Sequence, residues 1–200
     1  MPESIKYMHE KGVELAYIEG QHNLRTQART GFNDFKKYVN GQFLIDFNQN
    51  YSDLKYKYFK NYYGSSYAKM NTFFDEMVTR LETFETDTTL KNILYSGSAK
   101  SIYSHIDDAR LWDKDQLLRW ATLCSEAYAN ESNATIKKHI LQESIFPRFA
   151  LCTGFASSFS TAELQAMRQS FKNDATSLNI TYTMENNQTS MSTYYSNWGL

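Results

Sequence analysis

The sequence predicts a mainly α-helical protein: an antiparallel helical bundle with one long helix over about residues 32–63 and a C-terminal β-hairpin or strand extension. Three observations predict it. Apolar residues recur at three- and four-residue steps through most of the chain, the spacing that aligns one face of a helix. Only two prolines and eight glycines interrupt 200 residues, and helices suffer most from both. Near the C-terminus the period drops to two, which is a strand signal. The expected division is a helical domain over 1–175 and an appendage over 176–200 carrying the hairpin and an aromatic tail.

Ile5, Met8, Leu15 and Ile18 mark a first helix from about 5 to 29, weakened by Gly12 and Gly20 and expected to break near Gly20. Phe32, Phe35, Val39, Phe43 and Phe47 begin the long helix, and Tyr51, Leu54, Tyr58 and Tyr62 keep its phase. Unbroken, it spans on the order of 47 Å, and Gly41 is its weak point. Gly64-Ser65-Ser66 then punctuates. The next helix carries Tyr67, Met70, Phe74, Met77, Leu81 and Phe84 and packs back on its predecessor across the short connection.

Asp87 caps a brief helix ending near Gly97, and another helical stretch covers about 99–112. Asp113 opens a helix with Leu117, Ala121, Cys124 and Tyr128. Ser132 or Asn133 caps the next, which points Ile136 and Ile140 inward and stops before Pro147. Residues 147–158 read as a short helix or a buried connector. Ser160 and Glu163 form a capping box for a helix through Leu164, Met167 and Phe171. Leu178, Ile180, Tyr182 and Met184 alternate with polar residues as a strand, Asn186-Asn187 turns, and 189–195 returns.

Charge excludes little but weighs on partners. The net charge of −1 gives no long-range pull toward phosphate backbones or anionic lipid. The N-terminus MPESIKYMHEK has charges of both signs and no apolar run, so no secretory signal is expected. No window approaches the roughly 20 apolar residues of a membrane span. Cys124 and Cys152 match no metal spacing, and buried thiols in a reducing compartment are expected. Sequons at Asn50, Asn130, Asn133, Asn179 and Asn187 arise easily by chance in a chain of this composition.

The stretch HEKGVELAYIEGQH, residues 9–22, comes nearest to a catalytic pattern. On one helix His9 and His22 lie about 20 Å apart, too far for one metal ion. Glu10 and Glu19 lie roughly 13 Å apart, beyond the 5 to 9.5 Å of glycosidase carboxylates. Glu19 and His22 share a face, but a di-iron bundle needs a second Glu-x-x-His and further glutamates. Glu10, LAYIE ending at Glu19, and Thr26 resemble the start of phage-type lysozymes, which would imply glycoside hydrolysis. The sequence departs from that pattern with Glu in place of Asp and QHNLRTQART where a Gly-rich hairpin belongs, and the reading is set aside. A solvated, charged helix face is the expectation.

Elsewhere, Lys55, Lys57, Lys60 and Lys69 against Asp53 make 51–70 basic, while 75–115 is acidic; this opposition can steer head-to-tail packing of subunits. His105, Asp107 and Asp108 diverge around a helix and form no metal set. No nucleophile elbow, phosphate-binding loop, dinucleotide fingerprint or zinc-protease motif is present.

The expected function is therefore non-enzymatic: a structural or assembly subunit of a multiprotein particle, a phage or viral virion component such as a connector, ring or internal virion protein. No catalytic residue, cofactor or metal is assigned, and the expected location is the virion or the host cytoplasm. Other protein subunits, chiefly copies of the same chain, are the expected partners. The expected contact residues are Tyr56, Phe59 and Tyr63, which lie off the apolar stripe, with Leu178, Ile180, Tyr182, Met184 and Trp198 of the appendage. Two alternatives stand beside it: a small helical enzyme or effector with a site near Glu19 and His22, and a single-strand nucleic-acid binder using the lysines and tyrosines of 51–70.

Overall fold

The computed structural model describes residues 2–13, 30–95, 106–182 and 189–200. Within them the architecture is all-α. α1 (Pro2–Glu10) lies beside α2 (Asn33–Ile45), and α3 (Tyr51–Tyr62) and α4 (Tyr67–Thr86) follow. α5 (Thr88–Leu94), α6 (Lys114–Asn130), α7 (Ala134–Thr153), α8 (Thr161–Ser177) and α9 (Met191–Asn197) complete it. Antiparallel packing shows in the contacts. Asp34 meets Tyr62 while Phe35 meets Phe59 across α2 and α3, and Glu76 meets Arg119 while Lys69 meets Glu126 across α4 and α6. α6 and α7, joined by three residues, form the most extensive pair.

The expected long helix over 32–63 is instead two antiparallel helices. Gly41 is not the break; it sits inside α2. The chain leaves the helix at Asp46, whose backbone is extended and whose Oδ1 accepts the Asn48 N–H at 2.9 Å. Asn50 then caps α3 by accepting from the Asp53 N–H. Short polar side chains that bond nearby backbone compete with helix, and two of them in five residues, Asp46 and Asn50, outweigh the continuing apolar phase. The first helix likewise stops early: α1 ends at Glu10 and Gly12 turns at φ 79°. Of the helix expected over 99–112, residues 106–112 are turns.

α7 runs straight through Pro147, where the sequence predicted an end. Its stretch Ile140–Cys152 is buried on nearly every side, so packing outweighs the lost backbone hydrogen bond. One face meets the main core, which gathers Phe32, Phe35, Phe59, Phe73, Trp120 and Phe146 among others. The other meets a second core of Phe149, Phe171, Ile180, Met191 and Trp198.

Among the described residues the expected C-terminal hairpin is not borne out: they contain no strand. Among the described residues its trace is one antiparallel bridge between Tyr182 and Ser190. Ser190 caps α9 by accepting the Thr193 N–H, and Met191, Tyr194, Tyr195 and Trp198 then share a helical face. The alternation of 178–184 stops mattering once α8 supplies a surface for Ile180 to bury against. Gly154 sits where a Cβ would meet the Asp107 carbonyl oxygen at 1.8 Å, so only glycine lets the 106–112 loop cross the end of α7.

Candidate functional site

α2 sends Phe35, Val39 and Phe43 inward at four-residue steps. Leu44 and Ile45 follow Phe43 directly, about 100° and 200° further round the helix, so they point outward. They are 49% and 81% exposed. Tyr51 opens α3 across the turn and is exposed too. On the flank the His9 ring stacks on Phe47 at 3.6 Å and the Lys6 ammonium lies 5.5 Å from the Phe43 ring, while Tyr7 and Val13 stay exposed. Single exposed apolar residues are ordinary, whereas Leu44 and Ile45 are adjacent and both face outward.

A second concave feature lies over α7. α6 and α8 both pack on α7 and leave a groove of about 650 Å³ between them, with Leu118, Tyr128, Leu141, Leu151 and Met167 in its lining. Arg148 closes on itself there, donating to Asp174 Oδ2 at 2.6 Å and Ser170 Oγ at 3.0 Å. Cys124 and Cys152 line the groove as free, buried thiols. Burial pushes Cys124 far above its ordinary range and Cys152 up to about 11, so both remain thiols at neutral pH.

The seam of α2, α3 and α7 holds a polar cluster. The Tyr62 hydroxyl donates to Asp34 Oδ2 at 2.8 Å, and its ring stacks on His139 at 3.7 Å. His139 Nδ1 lies 3.0 Å from the Tyr62 carbonyl oxygen, and Tyr58 stacks on Tyr62 at 4.7 Å. Burial, with Asp34 nearby, raises the Tyr58 and Tyr62 phenols, so both keep their protons. Deeper in, Glu143 is buried, and that burial pushes its carboxyl up to about 8.

The residues expected to contact partners are scattered. Tyr56 is exposed, with its ring edge-on to Tyr67 at 6.1 Å. Phe59 and Tyr63 are inside the main core; the aromatic face off the stripe is covered by the chain's own Phe32 and α7. Ile180 and Trp198 are buried in the second core, with Leu178 packed against it and Tyr182 half-buried. Met184 lies outside the described residues, as do Glu19, His22 and His105. Of the opposed segments, Lys55 pairs with Asp75 within the chain; Lys69 pairs with Glu126, beyond the acidic segment, and Lys60 lies over the Tyr67 ring at 4.4 Å. Asp108 pairs with Arg110 at 2.6 Å. Among the described residues no three His, Cys, Asp or Glu side chains gather as a metal set, and no helix is long and apolar enough to cross a membrane.

Sequence reasoning missed Leu44, Ile45 and Glu143. For the first two a signal existed: Phe43-Leu44-Ile45 is three consecutive apolar residues on a helix, and they cannot all face inward. For Glu143 the only hint was Pro147 four residues on, which strips its carbonyl of the usual donor. Comparison with protein-family models, curated proteins and solved structures found no match to this chain.

Proposed function

We propose that the chain is a non-enzymatic subunit of a larger protein assembly, built from further copies of itself and other subunits. The observation that carries this reading is the outward-facing pair Leu44 and Ile45 at the end of α2, 49% and 81% exposed. Solvating that surface is unfavourable, and a second subunit that covers it removes the cost. The apolar groove between α6 and α8, with the exposed Tyr128 among its lining residues, offers a second surface of the helix-accepting kind. The assignment to a virion component of the connector, ring or internal class rests on composition alone: near-neutral charge and abundant Asn, Gln, Ser, Thr and Tyr. Ile180 and Trp198 are buried in the chain's own second core and offer no surface to a partner.

Native mass spectrometry and light scattering across protein concentration test the reading. Oligomers that dissociate in Ile45→Asp or Leu44→Asp, with helicity unchanged, are the expected result. A strict monomer at every concentration that also fails to associate with its neighbouring gene products would overturn it.

A further inference from the structure

Pro147 has no N–H to give to the Glu143 carbonyl one helical turn earlier. Thr30 fills the vacancy: its Oγ1 donates to that carbonyl at 3.2 Å. Two residues on, the Phe32 N–H donates to the Glu143 side chain, at Oε2, over 2.8 Å. Glu143 Oε1 lies 3.4 Å from the Tyr63 hydroxyl, which donates to it. The segment from Thr30 to Phe32 is thus fastened to one residue of α7 at both its main chain and its side chain.

The fastening holds a strained backbone. Gly31 and Phe32 both have positive φ, 70° and 55°. Gly31 tolerates this freely, whereas Phe32 does not, because its Cβ crowds the following carbonyl. Phe32 nonetheless serves as the residue from which α2 starts, with its ring sealed among Phe59, Tyr63, Phe73 and Phe74. Strain of this kind persists where surrounding contacts over-determine it.

We propose that Thr30–Phe32 is a strap clasped onto the proline gap of α7, and that proton loss from Glu143 releases it. Every element around the carboxyl bears on the proton. α2 presents Asp34, which opposes ionisation, and Lys36, which favours it. α3 and its end present Tyr58, Tyr62 and Tyr63, all held neutral by burial, and α6 presents Cys124, a buried thiol. On α7 itself His139 is engaged with Tyr62 and Arg148 with Asp174. Among the described residues the anion-favouring groups are the Phe32 N–H, the Tyr63 hydroxyl and Lys36, and burial outweighs them.

The direction follows. The carboxyl titrates near about 8 when clasped and near the ordinary 4.5 when water reaches it. The clasped form then holds a proton that the open form has lost. Clasping is firmest below the ordinary value, weakens as pH rises through the window between the two, and levels off above the upper one.

Two measurements on the whole chain test this. Amide exchange at Phe32, corrected for its intrinsic pH dependence and referenced to α6 amides, should quicken by about tenfold per pH unit between roughly pH 6 and 8. Glu143→Gln should abolish that slope. A flat profile in the unaltered protein, or an equal slope in Glu143→Gln, overturns the proposal. Should Glu143→Gln fail to fold, the carbon-13 shift of the Glu143 carboxyl in the unaltered protein decides. A midpoint above roughly 7 supports the clasp, and one in the ordinary carboxyl range overturns it.

Discussion

The two apolar cores on either side of α7 are closed in different ways. The main core, between α2, α3, α4, α6 and α7, is sealed by helices from the interior of the chain and encloses polar groups, with Glu143 and the Tyr63 hydroxyl inside its aromatic wall. The second core, between α7, α8 and α9, is closed by the short α9 and gathers apolar side chains and a thiol. Both need α7, which turns Phe146 and Leu151 to one and Ile145 and Phe149 to the other. Ile106 and Met167 pack against both, so the 106–112 loop sits at the seam. A helix held from both sides has little amphipathic signature and can carry a proline. A core closed by one short helix can open without the other.

The largest effect should come from emptying the main core. Trp120 is fully buried against Phe73, Trp112 and Phe146, and its Nε1 donates to Glu76 Oε2 at 3.0 Å. Trp120→Ala should cost about 3–5 kcal/mol in urea unfolding and loosen both cores, because α7 loses its support. Gly154→Ala acts at the seam. Its Cβ meets backbone rather than a yielding side chain, so the 106–112 loop must move, at about 1–3 kcal/mol by the same measurement. Trp198→Ala should cost about 2 kcal/mol, less than an interior tryptophan, because the loss is limited by local opening of the second core. Amides of α9 should then exchange faster while those of α6 do not. Equal acceleration in both helices would show that the cores open together.

These differences also explain what was legible in the sequence. α4, α6 and α8 each show one apolar face and a capping or turn signal at the start, and they were placed closely. The α2–α3 break was hidden because both helices keep the same apolar phase; only Asp46, Asn48 and Asn50 marked it. The helical course through Pro147 was hidden because it depends on two packing partners, which no local window contains. Phe59 and Tyr63 leave the apolar stripe and so read as contact residues, yet both rings serve the interior. Leu44 and Ile45 were overlooked because aliphatic residues beside Phe43 read as more core. The Glu143 clasp joins residues more than 100 positions apart and leaves no periodic trace.

The smallest effect should come from Ser190, and it addresses why Met191–Asn197 form a helix. Residues 189–195 are expected as the returning strand, but among the described residues β-pairing is confined to the one Tyr182–Ser190 bridge, and a lone two-stranded ribbon is marginal in water. The Ser190 hydroxyl instead accepts the Thr193 N–H at 3.2 Å, which starts α9 and sends Met191 and Trp198 onto α7 and α8. Ser190→Ala removes that cap at a cost of about 1 kcal/mol, felt in the second core alone. Amide exchange should quicken at Thr193 and Tyr194 and stay unchanged in α6 and at Phe32. If the substitution instead slows exchange at Tyr182, the cap was holding the chain away from strand pairing, and closure of the second core by a helix is a local choice made at one hydroxyl.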